Sequence, residues 1–131
     1  MSNKLDKILA EISAGELVDK ITILEIKQVK ISDTEKLNAI NKELLSLNST
    51  MKKFIPDHSK IKDLISELKE VNLKLWDIEE GKRKAEKNNN FDEKFIELAR
   101  NVYKFNDERA KIKFNINNLL GSNIKEVKSY K

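Results

Sequence analysis

Apolar residues recur at intervals of three and four along almost the whole chain, and the runs with this spacing are too long for strands. Turn-forming residues are scarce: there are 3 Gly and 1 Pro among 131 residues, of which 37% are charged. A chain this short holds one domain with room for one core. The pattern predicts an all-α fold, an antiparallel bundle of about four helices. Long helical hairpins build it, and short extended N- and C-terminal tails flank it.

Local chemistry places the boundaries. Ser13-Ala14-Gly15-Glu16 reads as a capping box, so the first helix runs from about Ala14 to Ile31. Ser32-Asp33-Thr34-Glu35 repeats the pattern and opens a second helix. Its narrow stripe is Leu37, Ile40, Leu44, Leu47, Met51 and Phe54, and Pro56 ends it. The third starts near Ser59 and fades at Asn88-Asn89-Asn90. The fourth is capped by Asn90 or Asp92 and stopped by Gly121. Helices three and four would each span about 40–45 Å at 1.5 Å per residue. Before them, Ile8 to Ile12 reads as a short strand or a docked extended tail. After them, Ile124, Val127 and Tyr130 would dock the C-terminus.

Three of these helices carry polar side chains inside the stripe meant for the core. Glu25 and Gln28 do so in the first, Asn72 and Glu79 in the third, and Asn106, Arg109 and Lys113 in the fourth. Burying such a group unpaired costs roughly 1–3 kcal/mol or more. The groups therefore pair with one another or line a wet site. In the plainer reading Glu25 or Glu79 pairs with Arg109 while Lys113 reaches outward at the rim. In the sharper one, Arg109 and Lys113 hold a small anionic ligand beside a Glu acting as base or acceptor. A polar seam between two copies is the third. Helix one also has a second apolar side, Ile23 and Ile26, which makes it the most surrounded helix or a contact with a second subunit.

Other chemistries find little support. With Cys 0 there is no disulfide and no thiolate site. The one His, His58, falls in a turn and is expected to be exposed, against His catalysis or a His metal site. Trp76 fits the stripe as packing, and Ser13 is a cap with no base beside it. Metal-dependent nucleotide hydrolysis would need paired acidic motifs facing inward. Glu67 and Glu70 lie on a polar face, and Glu16 to Asp19 opens the first helix instead. No metal or other cofactor is called for. The net charge of +4 is mostly Lys and spread along the chain, which describes a solvated surface and no specific nucleic-acid groove. No apolar run approaches the roughly 20 residues of a membrane span. The start, MSNKLDKILAEIS, is too charged for a secretory signal, so a cytoplasmic location is expected.

Several blocks occur in order: GELVDKITILEIK (Gly15–Lys27), LWDIE (Leu75–Glu79), Phe91-Asp92, FIELARNVY (Phe95–Tyr103), NDERAKIK (Asn106–Lys113), Ile116-Asn117, LGS (Leu120–Ser122) and EVKSY (Glu126–Tyr130). Over nearly its whole length the chain thus resembles a small bacterial family of unknown function. The resemblance implies a stand-alone cytoplasmic helical protein and no particular activity. Glu25, Glu79, Asn106, Arg109 and Lys113 lie within those blocks. The function expected is a structural or interaction module, coiled-coil-like and homodimeric, with a polar cluster between helices. The alternative is a binder or enzyme for a small anionic metabolite that uses Arg109 and Lys113.

Overall fold

A computed structural model describes residues 4–128. It contains α1 (Ala14–Lys30), α2 (Thr34–Phe54), a 3-10 turn over Ser59–Ile61, α3 (Lys62–Lys87) and α4 (Glu93–Leu120). Among the described residues no strand forms. The result is the expected antiparallel helical bundle, built from an α1–α2 hairpin and a longer α3–α4 hairpin.

Helix α1 is the hub, because it alone packs on all three other helices. On one side Val18 meets Ile61, Leu68 and Ile116 from the second hairpin. On another, Leu24 meets Ile40 and Leu44 of α2, with Ile21, Ile31 and Leu47 around them. Of the second apolar pair, Ile26 is buried and Ile23 half-buried within the one chain, so the doubly apolar character of α1 does not require a second subunit. Gly15 permits the closest approach: a Cβ there would lie 2.6 Å from the Lys113 carbonyl oxygen on α4. Any side chain at position 15 would push the two helices apart.

The ends follow local chemistry, with two departures. Asp33, not Ser32, caps α2, its Oδ2 accepting from Lys36 N at 3.0 Å. At α1 only half the capping box forms. Ser13 Oγ accepts from Glu16 N at 3.0 Å, but the Glu16 carboxylate turns to Lys113. Asp92 caps α4, and Gly121 ends it in the left-handed region at φ 63. At 26 and 28 residues, α3 and α4 outrun the 17 residues of α1. Their far ends form a two-helix arm, where Leu98 lies against Gly81 and Phe91 meets Phe95 edge to face.

The tails differ most from expectation. Residues 4–12 form neither strand nor helix, and Leu5, Ile8 and Leu9 are 81%, 82% and 88% exposed. Val127 is 88% exposed, Ile124 is partly so, and Tyr130 lies outside the described residues. Polar groups dock the C-terminal tail instead. Ser122 Oγ accepts from Ala14 N at 3.0 Å, and Asn123 Nδ2 donates to Glu11 Oε2 at 2.5 Å.

Candidate functional site

The buried polar centre of the bundle is Asp19, on the α1 face that meets the second hairpin, with 0% of its surface exposed. A bare carboxylate could not be held there without partners. Arg109 of α4 supplies a forked pair: Nε donates to Oδ1 at 3.0 Å and Oδ2 at 3.1 Å, and Nη2 donates to Oδ2. Asn72 of α3 donates from Nδ2 to Asp19 Oδ1 at 2.9 Å and to Thr22 Oγ1 at 2.9 Å. The Thr22 hydroxyl in turn donates to the Asp19 carbonyl at 2.8 Å. One residue from each of three helices thus meets at a single carboxylate. Planar guanidinium suits this geometry, since its donors are fixed in a fork.

A second layer lies one turn along, toward the tail. Lys113 Nζ donates to Glu16 Oε2 at 2.6 Å and Glu126 Oε2 at 3.2 Å, and stands 3.7 Å from Asp19 Oδ2. Ser13 Oγ donates to the other Glu126 oxygen at 2.7 Å. Asn117 Oδ1 accepts from Gly15 N at 2.6 Å, and its buried Nδ2 finds no partner among the described residues. The first amides of α1 are therefore taken by Ser122, Asn117 and Ser13. The open amides that make a helix start attract anions are consumed inside the protein.

Electrostatics follow from this arrangement. Hydrogen bonding to Asp19 raises the Arg109 pKa above its ordinary value, against the opposing effect of burial. For Lys113, burial acts downward, but the Glu16 hydrogen bond and the Asp19, Glu16 and Glu126 charges outweigh it, and the pKa rises. Three cations, Arg109, Lys113 and Lys20, face three carboxylates, Asp19, Glu16 and Glu126. Within this cluster the formal charges balance.

Of the residues singled out in the sequence, the structure brings Asn72, Arg109 and Lys113 together. It does not bring Glu25, Gln28 or Glu79 to them. Glu25 pairs with Lys69 at 3.4 Å, and its side chain is 39% exposed. Gln28 sits in the last turn of α1 and donates to Asn41 of α2 at 2.9 Å, in water. Glu79 is exposed and pairs with Lys82 at 3.6 Å. Asn106 is half-buried one turn before Arg109, outside the bonded set. Lys113 does not reach outward at the rim, since its side chain is only 13% exposed. The acidic partner of Arg109 is neither Glu25 nor Glu79 but Asp19, which is not among the polar residues singled out in the sequence. The signal for it was the line Gly15, Asp19, Thr22, Ile26, spaced four, three and four, whose members are all buried.

His58 is exposed. No group of three or more His, Cys, Asp or Glu side chains able to hold a metal occurs among the described residues. No helix among them is long and apolar enough to cross a membrane. A shallow groove of about 390 Å³ runs between the outer face of α4 and the C-terminal tail, with Ala110, Phe114 and Val127 in its walls.

No curated protein and no solved structure matches the chain. A family profile does match, over residues 8–131, so it covers all four helices and the polar centre they share. The chain belongs to that family, the family of unknown function DUF6165.

Proposed function

We propose that the protein is a structural or interaction module that works as a homodimer. The buried polar centre sets the geometry of its three central helices. The observation that carries this reading is the run of exposed aliphatic side chains in the N-terminal tail. Leu5, Ile8 and Leu9 are each more than four-fifths exposed, as is Val127 of the C-terminal tail. Scattered exposed apolar residues are ordinary, but clustered ones mark contact surfaces. The polar centre fits a structural role, because each Asp19 oxygen is bonded and its charges are matched within the chain. Such pairs fix register between elements more than they add stability. Sedimentation equilibrium of the full chain at tens of micromolar tests the proposal. A dimer is expected, and a strict monomer contradicts it. A thermal-shift series with phosphate and dicarboxylates separates the alternative, anionic-metabolite reading. A bound anion would raise the melting temperature by mass action, whereas the matched charges lead us to expect no shift.

A further inference from the structure

We infer that two copies pair through the outer face of α4, with the two helices antiparallel about a two-fold axis at the level of Phe105. This rests on the self-association reading and gives it a contact on the helices.

The first support is an outward stripe on α4. Ile96, Arg100, Tyr103, Asp107, Ala110 and Phe114 step by four and three residues in alternation, which keeps them within about 40° of one line. Ile116, which packs into the core, lies about 160° from that line. The stripe therefore points directly away from the bundle. Ile96, Tyr103 and Phe114 are 54%, 56% and 47% exposed, so about half of each stays open. Ile96, Tyr103 and Ala110 repeat every seven residues, as do Arg100, Asp107 and Phe114. That is the spacing of a seam between two helices.

The second support is that the stripe complements itself. Ile96 and Phe114 stand 18 residues apart, which is five turns and about 27 Å. Antiparallel pairing about the middle of that span lays Ile96 on Phe114 of the other copy, once at each end. Tyr103 then faces Asp107 of the other copy, and its hydroxyl can donate to that carboxylate. Arg100, one turn away, reaches the same carboxylate. Each contact occurs twice, as a closed two-fold interface requires.

The third support is charge, and it selects a second copy as the occupant. Glu97, Arg100, Asp107 and Lys111 are all exposed, and none joins an ion pair among the described residues. Arg109 and Lys113 of the same helix are, by contrast, already paired within the chain. Parallel pairing would set Arg100 against Arg100 and Asp107 against Asp107. Antiparallel pairing sets Arg100 beside Asp107 and, along one flank, Glu97 beside Lys111. Lys104 meets its own counterpart across the axis, but each has an Asp107 within a turn. Exposed pairs of this kind add little affinity, yet they decide orientation and partner.

Charge reversal tests the inference, with dimer dissociation constants read from sedimentation equilibrium. Arg100→Asp and Asp107→Arg should each weaken the dimer by about tenfold or more, because each sets like charges together twice. The chain carrying both reversals should return to within about threefold of wild type. Both side chains are exposed, so helical circular dichroism should be preserved in all three variants. A wild-type dimer indifferent to the single reversals overturns the inference and leaves self-association standing. So do single reversals that weaken the dimer and are not rescued by their combination. A wild-type chain that is strictly monomeric defeats both readings.

Discussion

Removing the Asp19 carboxylate is the sharpest perturbation of the polar centre. In Asp19→Ala, Arg109 loses both of its partner oxygens and Asn72 loses one of two acceptors. Breaking a buried ion pair from one side costs roughly 3–5 kcal/mol, because the remaining charge is left uncompensated. Two features set the value near the lower end. The Arg109 side chain is 30% exposed, so it regains some hydration. Alanine also favours helix over aspartate by about 0.5 kcal/mol. The expected loss is therefore about 3 kcal/mol, a large share of the roughly 5–15 kcal/mol typical of a domain. Urea unfolding followed by far-ultraviolet circular dichroism measures it. With a slope of about 1.5 kcal/mol per molar, the midpoint should fall by about 2 M. A fall of less than about 0.5 M, with an unchanged slope, would refute the reasoning, since Asp19 would then not anchor the three helices.

Two further perturbations test the same packing. Gly15→Ala places a Cβ 2.6 Å from the Lys113 carbonyl, a backbone atom that cannot swing aside. Overpacking of this kind costs about 1–3 kcal/mol and outweighs the helix propensity gained. Thermal unfolding should therefore occur several degrees lower, and an unchanged or higher melting temperature would show that α1 and α4 are not in close contact. Lys113 has a raised pKa in the fold, so its stabilising contribution is fully present below its unfolded value, about 10.4, and is lost as pH rises through the folded value. The stability difference between wild type and Lys113→Met should stay flat from neutral pH to about 10 and narrow above that. Narrowing below pH 9 in denaturant titrations would contradict the pairing of Lys113 with Glu16, Asp19 and Glu126.

The parts of this fold legible in the sequence are those set by local chemistry. Ser13, Asp92 and Gly121 end helices through bonds within a turn, and the structure has them in those roles. The helical stripes follow from burial alone, and they place Asn72, Arg109 and Lys113 together because each faces the α1 side of its own helix. Asp19 is hidden from a helical wheel because the most regular apolar line of α1 runs through Leu17, Ile21 and Leu24. Asp19 lies about 200° from Leu17 on that wheel. A helix packed on three sides has no single stripe, so its second buried line looked polar. The tails escaped for another reason. Their apolar residues carry correct spacing but no information about what covers them, and polar ties from Ser122, Asn123 and Glu126 hold the C-terminal one.

The most direct measurement is a double-mutant cycle on Asp19→Leu and Arg109→Met, read from urea unfolding. Each single change strands a charge, whereas the double change leaves an apolar pair of similar volume that is often close to neutral. The account predicts a coupling energy of at least about 2 kcal/mol, with the double variant more stable than either single one. Additive losses, with coupling within about 0.5 kcal/mol of zero, would contradict it.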